Sequence, residues 1–323
     1  MYYKHDNGFV RLNTKFVQGG PTEFNPLKLP YHTIRIKYNG SINQNTSLRN
    51  KVTAYYPGNI YDLYLGTTNN WNTIFFDDDN LLEVLGANSK GVTSTVGMFH
   101  GCNNVTGIST FDTSKVISTY QMFYFCPNLK SVGPYPLNED INAGYMFYGC
   151  SNLSSIPDFG DTKLTSCVAM FDNCKNLQSA PSLDTSDVTS TYMMFEGCSS
   201  MTSVPFYDTH NVLSSNRMFY DCHSLVHSPT FNLTKVTDMS YMYTHCSVLS
   251  SVPLFNTTFT YKTGNMTQAF YNCVNVQQGA LALYNRVGNV LTRASAHNGT
   301  FRNCGVNTVN GAAELAQIPS DWK

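Results

Sequence analysis

Nine of the ten cysteines in this chain fall in register. Cys102, Cys126, Cys150, Cys174, Cys198, Cys222 and Cys246 are spaced by 24 residues, and Cys273 and Cys304 follow after 27 and 31. Thiolates bind soft metals, form disulfides or act as nucleophiles, and metal sites bring two Cys within a few residues, commonly as Cys-x-x-Cys. No such pair occurs here. A period of two dozen residues instead predicts thiols in a row, each packed as a small hydrophobe. All nine are read as reduced core residues. Cys167, outside the column, is read as one more thiol, buried or partly exposed.

Other candidates for chemistry fare no better. His223 and His227 are four apart, as some metal ligands are, but that span crosses from turn to strand, so both are read as surface side chains. Asp77-Asp78-Asp79-Asn80 offers oxygens to a hard cation but lacks the alternating spacing of a calcium loop, and is read as a solvated turn. No Gly-x-Ser-x-Gly, His-Glu-x-x-His, phosphate-loop or dinucleotide pattern is present. The expectation is a protein without metal, cofactor or enzymatic activity. Charged residues are 13% of the chain and the net charge is −1, a balance that offers no field to nucleic acid or an anionic membrane. No apolar run approaches the ~20 residues that cross a bilayer.

The elements that place these residues follow from the same period. Four and three residues before each Cys stand Met98-Phe99, Met122-Phe123, Met146-Phe147, Met170-Phe171, Met194-Phe195, Met218-Phe219 and Met242-Tyr243, then Ala269-Phe270 and Thr300-Phe301. Three residues after come Val105, Leu129, Leu153, Leu177, Met201, Leu225, Leu249 and Val276; six after, Ile108, Val132, Ile156, Ala180, Val204 and Val252, with Ser228 the exception. Nine after come Phe111, Tyr135, Phe159, Leu183, Tyr207, Phe231 and Phe255, and Pro157, Pro181, Pro205, Pro229 and Pro253 hold a further column. One period before Cys102 lies Asp78, framed by Ile74-Phe75 and Leu81, so the array begins near Trp71 with a degenerate unit whose polar core residue suits an end facing water.

Met, Phe and Cys at i, i+1 and i+4 share one face of a helical turn. A stretch such as Met201 to Tyr207, β-branched, aromatic and broken by Pro, reads as a short strand. Asp184-Thr-Ser-Asp and Asp208-Thr-His-Asn read as turns whose side chains bond nearby backbone. In the third unit Leu137-Asn-Glu-Asp140 replaces that turn and predicts a bulge. One unit is therefore strand, turn, short helical turn and turn, and it buries its apolar side only against neighbours.

These columns resemble the Met-Phe-x-x-Cys-x-x-Leu pattern of the bacterial surface protein repeat, a BspA-like variety of leucine-rich repeat, from Trp71 to Cys304. The stretch Gly279 to Lys323 looks like the end of such proteins in gut bacteria and their phages. The resemblance implies a leucine-rich-repeat-like solenoid of about ten coils and a role in adhesion and surface recognition, and it carries over no catalytic residue.

Before the array, Thr33 to Tyr38, Lys51 to Tyr56 and Ile60 to Leu65 read as strands joined at Asn39-Gly40 and Pro57-Gly58. The expected organisation is an extended N-terminal segment (1–29), docked on a partner or mobile; a small β-rich element (30–70); the solenoid (71–306); and a C-terminal cap or tail (307–323).

Two surfaces are candidates for binding. Two residues before each Cys stand His100, Tyr124, Tyr148, Asp172, Glu196, Tyr220, Thr244 and Tyr271, expected to point outward as a ladder in which Tyr124, Tyr148, Tyr220 and Tyr271 offer apolar faces with polar tips. The competing reading is that Tyr is simply common, at 21 residues. Between the apolar columns lie Lys130, Ser131, Gln178, Ser179, Val226 and His227, a strand face of the kind solenoids bind through. Met1 to Gly20 lacks the basic-then-apolar pattern of an export signal. With the resemblance, this favours a phage virion protein that recognises the bacterial host surface. Its N-terminal segment would meet other virion proteins, its array would meet a bacterial glycan or protein, and a homo-oligomer stays open. The alternatives are a bacterial cell-surface or secreted adhesin, or a purely structural virion joint or decoration protein.

Overall fold

The alternating residue types of Thr33 to Tyr38 form a strand, and it becomes the hub of the N-terminal region. The computed structural model describes residues 29–134, 137–138, 141–156, 159, 162–257 and 264–323, and the backbone of three strands before them, β1 (Tyr2–His5), β2 (Gly8–Arg11) and β3 (Lys15–Phe16). The rest of the N-terminal segment, Tyr135, Glu139, Asp140 and Pro157 lie outside the described residues. Strands β4 (Thr33–Tyr38), β5 (Val52–Tyr56) and β6 (Ile60–Tyr64) stand where alternation and turn dipeptides predict them. The β5–β6 hairpin turns through Gly58 and Asn59, both at positive φ, as a tight hairpin requires.

β4 is buried on both sides, which puts Arg35 inside. Its guanidinium is satisfied by both carboxylate oxygens of Asp62, at 2.6 and 2.8 Å, and by the Tyr56 hydroxyl at 2.6 Å. The bidentate pair offsets the cost of burying charge.

The sheet does not stop at the edge of this element. β7 (Leu81–Asn88) pairs antiparallel with β4 on one side and parallel with β8 (Gly107–Ile108) on the other, and β8 pairs with β9 (Ser131–Val132). The order β3-β5-β6-β4-β7-β8-β9 carries one sheet across residue 70 and into the repeats.

From Trp71 onward the chain forms stacked repeat laps. The backbone N–H groups of Trp71, Thr73, Phe75 and Asp77 donate to the carbonyls of Ser94, Val96, Met98 and His100 one lap later, at 2.7–3.0 Å. The bond from Phe75 recurs from Phe99 to Met122, Phe123 to Met146, Phe147 to Met170, Phe171 to Met194, Phe195 to Met218 and Phe219 to Met242. In between, alternate N–H groups close tight turns within the lap, as from Met98 to Thr95, His100 to Gly97 and Cys102 to Phe99.

This ribbon corrects the expected helical turn. The residues five and one before each Cys are left-handed in lap after lap: Gln121 and Phe125 (φ 56° for each), Ala169 and Asn173 (49° and 58°), Arg217 and Asp221 (56° and 58°). A single helical turn would leave its N–H groups without partners. A ribbon of alternating hand aims every second N–H at the neighbouring lap, so a short segment is bonded into the stack. Met, Phe and Cys still share one inward side, and all three columns are buried. Gly149 and Gly197 sit at left-handed positions where a Cβ would lie 2.8 Å from the Phe125 ring and 2.9 Å from Asn173 Oδ1 of the lap before.

A second ladder is polar. Asn70, Ser94, Ser118 and Asn142 bridge in parallel, as do Ser190, Ser214, Asp238 and Asn265. β10 (Ile141–Asn142) pairs with β11 (Leu164–Ser166), and β12 (Asn232–Leu233) with β13 (Asn256–Thr257). Side chains on this ladder accept the N–H two residues on, as Asn142 does from Gly144 and Asp238 from Ser240. The expected Asp-Thr turns bond in the same way, Asp184 accepting from Ser186 and Asp208 from His210.

The α-helices among the described residues gather at the C-terminal end: α1 (Ala280–Val287), α2 (Ala294–His297) and α3 (Val309–Gln317). α1 occupies part of the added length between Cys273 and Cys304. Trp322 then closes the stack, its ring 6.1 Å from Phe301 and 4.4 Å from His297.

Candidate binding face

The cysteine column is structural, and its geometry explains the residue type. Each thiol lies inside and donates to the carbonyl of the core aromatic one lap earlier: Cys102 to Phe75 at 2.9 Å, Cys126 to Phe99 at 3.0 Å, and Cys150, Cys174, Cys198, Cys222 and Cys246 to Phe123, Phe147, Phe171, Phe195 and Phe219 at 3.1 Å. Cys273 meets Tyr243 at 3.0 Å, and Cys304 is buried in the last lap. A small apolar side chain with one weak donor fits a position facing a carbonyl. Burial drives the Cys174, Cys222 and Cys246 thiols well above their usual range, and Cys167, also inward, is pushed up to about 12. Thiols held protonated are poor nucleophiles and poor ligands. Among the described residues no group of three His, Cys, Asp or Glu side chains is placed to hold a metal.

Beside the thiols runs an inner ring ladder. Phe75, Phe99, Phe123, Phe147, Phe171, Phe195, Phe219, Tyr243, Phe270 and Phe301 stack at centroid separations of 5.2–5.9 Å. Two departures from the repeat explain each other here. Tyr243 carries a hydroxyl into the core, and Ser228, where other units have an aliphatic residue or Ala, meets it at 2.7 Å.

The outer column is where the expected ladder stands, in part. Phe76, His100, Tyr124 and Tyr148 stack at 4.4, 4.7 and 4.7 Å with planes within 11° of parallel. Tyr145 leans on both Tyr124 and Tyr148. Two members do not point outward: Asp172 and Thr244 are buried. Thr244 is small enough to turn in and donate to the Gln268 carbonyl at 2.5 Å. The ring of His245, the next residue, stands between Tyr220 and Tyr271 instead, 5.6 and 5.5 Å away, and bonds Asp221 at 2.7 Å.

Asp172 divides the face. Asn173 donates to its Oδ1 at 2.7 Å, while Oδ2 and the neighbouring Glu196 Oε2 are buried without a partner. Burial first, then the charge of Glu196, raises the Asp172 carboxyl to about 7. Burial also raises Glu196, against the pull of Arg217. Arg217 pairs with Glu196 at 3.3 Å and lies over the rings of Tyr220 and Tyr241, 4.9 and 5.3 Å away. Sequence reasoning missed Arg217, Tyr241 and Tyr145. They occupy the left-handed position five before each Cys, whose residue types show no pattern, so only the backbone reveals that column.

The model of the family described as "Mycoplasma protein of unknown function, DUF285" matches this chain three times, over residues 59–159, 140–258 and 165–284. The chain belongs to this family. No curated protein matches it. Two solved structures are similar. A Treponema pallidum leucine-rich repeat protein is 18% identical over 58% of this chain and 80% of its own, with a TM-score of 0.37. A leucine-rich cell surface protein of Faecalibacterium prausnitzii is 16% identical over 71% of this chain and 86% of its own, with a TM-score of 0.34.

In this DUF285 chain the second candidate surface is separate from the ring face. Lys130, Gln178 and His227 are exposed, each one residue or more beyond the buried apolar residue that follows the Cys. His227 bonds Ser250 at 2.8 Å, whereas His223 turns to the His245 carbonyl at 3.0 Å, so the two do not converge. Asp78 is not a water-facing turn either. Its oxygens accept from Tyr38 at 3.0 and 3.1 Å and from Asn45 at 3.1 Å. The β element covers that end, and the first lap has no earlier aromatic carbonyl to receive a thiol, so an acceptor replaces Cys.

Proposed function

We propose that this DUF285 chain is a non-enzymatic binding protein of a bacterial surface, of the BspA-like leucine-rich-repeat kind, whose solenoid presents the outer ring column to a glycan or protein partner. One observation carries the reading: Phe76, His100, Tyr124 and Tyr148 form a pre-stacked column, continued past the carboxylates by Tyr220, His245 and Tyr271. Rings already ordered by their neighbours lose little entropy when a partner docks, and tyrosine joins an apolar body to a polar tip. The cell-surface reading is preferred to the virion one, which rests on the resemblance, the polar, weakly charged surface and the missing export pattern in Met1 to Gly20; of that segment the structure describes only the strand backbones Tyr2–His5, Gly8–Arg11 and Lys15–Phe16.

The test is binding of the labelled full chain to intact bacterial and host cells. Replacing Tyr124, Tyr148 and Tyr220 together by Ala lowers binding at least about tenfold, the loss of a small hot-spot cluster, while replacing Lys130 and Gln178 leaves it unchanged. A triple variant that binds like the wild type removes the ring face from the account.

A further inference from the structure

Where the N-terminal element meets the first lap, a cleft of about 570 Å³ opens, walled by Asn39, Ser41, Gln44 and Ser47 on one side and by Phe76 to Asn80 on the other. Its size lies within the ~300–1,000 Å³ of small-molecule sites. The base is rigid. Tyr38 donates to both Asp78 oxygens, and Asn45 donates to Tyr38 Oη and Asp78 Oδ2 at 3.0 and 3.1 Å. Asn45 Oδ1 in turn accepts the N–H groups of Ser47 and Leu48 at 3.0 Å each. These groups are engaged with one another and hold the walls apart.

Facing a ligand is amide, hydroxyl and carboxylate chemistry on exposed residues, Gln44, Asn80, Asp77 and Asp79 among them, with Asp79 Oδ1 also accepting from the Asn103 amide at 2.9 Å and His100 Nδ1 lying 3.6 Å from Asp77 Oδ1, and one aromatic residue. Phe76 is 49% exposed; one face of its ring is covered by His100, 4.4 Å away, and the residue stands in the wall of the cleft. No Lys, Arg or His lines the cleft.

We propose that this cleft binds a neutral or amino-sugar saccharide, a site that goes beyond the extended face described above. The C–H face of a sugar ring lies on Phe76, as apolar surface lies on any aromatic ring. Its hydroxyls donate to Asp77 and Asp79 and exchange hydrogen bonds with Gln44 and Asn80. Carboxylates strengthen such bonds, and with no Lys or Arg in the lining they repel uronic acids, sialic acids and phosphates. A wall of several amides and hydroxyls spread around one ring suits a ligand with many hydroxyls better than a compact ammonium ion, which is best held between several rings.

The test is titration of the full chain, by calorimetry and on a glycan array, with glucose, galactose, mannose and N-acetylglucosamine oligomers, and with glucuronic and sialic acid oligomers, choline and calcium as comparators. The expected result is binding to at least one neutral or amino-sugar oligomer, lowered about tenfold or more by Phe76→Ala and severalfold by Gln44→Ala or Asp79→Asn. Phe76 and Gln44 are exposed, so both variants keep the fold, checked by circular dichroism. No binding of any neutral or amino sugar, equal binding by the wild type and Phe76→Ala, or stronger binding of choline, calcium or the acidic sugars overturns the proposal. Cell binding through the tyrosine face is measured separately, so either idea can fail while the other stands.

Discussion

Two ring columns run side by side through this molecule, and they obey different rules. The inner one, from Phe75 to Phe301, keeps an aromatic residue in every lap, because each ring fills the space between two neighbours and each carbonyl of that column, from Phe75 to Tyr243, receives the next thiol. The outer one begins with four stacked rings, yields to Asp172 and Glu196, and resumes with the ring of His245 in the place of Thr244. Packing dictates the first column. The second is free of that demand, so its residue types can be chosen for a partner.

The widest gap between the columns is expected in stability. Phe171→Ala, in the middle of the inner ladder, costs about 3–5 kcal/mol, whereas Tyr148→Ala, half-buried on the outer one, costs about 1 kcal/mol. Urea unfolding of both variants measures the difference, and equal costs break the distinction.

The carboxylate that interrupts the outer column gives the next effect. A carboxyl raised from 3.8 to about 7 adds stability while protonated; that contribution is complete below the unfolded value and is lost as pH rises through about 7. Asp172→Asn keeps an acceptor for Asn173 and removes the buried charge. The variant is expected to match the wild type near pH 4 and to exceed it by about 2 kcal/mol at pH 8. Thermal melts across that range check the sign, and a stabilisation confined to acid pH contradicts the cause given for the shift.

A smaller effect sharpens the rule for the inner column. Ser228→Val strands the Tyr243 hydroxyl in the core and costs about 1 kcal/mol, Tyr243→Phe costs less because the Ser228 hydroxyl still donates to the Pro229 carbonyl, and the double variant restores the ordinary repeat and recovers most of the loss. A double-mutant cycle measures the coupling, and strict additivity dismisses the pairing. The thiols give the last comparison: in the native chain none of the ten buried cysteines reacts with an aromatic disulfide reagent over minutes, and all react in denaturant. Rapid labelling of Cys150 or Cys174 in the native state contradicts a sealed interior.

The inward columns were legible in the sequence because one packed environment recurs and admits few residue types. The three early strands were legible from alternation and turn dipeptides. The ribbon was not: Met, Phe and Cys at i, i+1 and i+4 suit a helical turn and a ribbon of alternating hand equally, and only the left-handed backbone at positions such as Gln121 and Phe125 separates them. β7 escaped notice because Leu81 and Val84 already fitted the repeat, which hid an eight-residue strand belonging to two neighbours at once. On the outer face, sequence order found Tyr124, Tyr148, Tyr220 and Tyr271. It could not show that Asp172 folds inward or that Arg217 spans two rings, since both depend on what the adjacent laps leave open.

Removing one whole lap tests the stacking itself. Deleting residues 175–198 takes out one period and leaves Phe171 to receive the bond that Phe195 now accepts from Cys222. Deleting residues 187–198 takes out half as much chain but shifts every later column out of register. The expected outcome is a cooperative unfolding transition for the longer deletion and no folded state for the shorter one. A half-period deletion that unfolds as cooperatively as the full-period one would contradict the account.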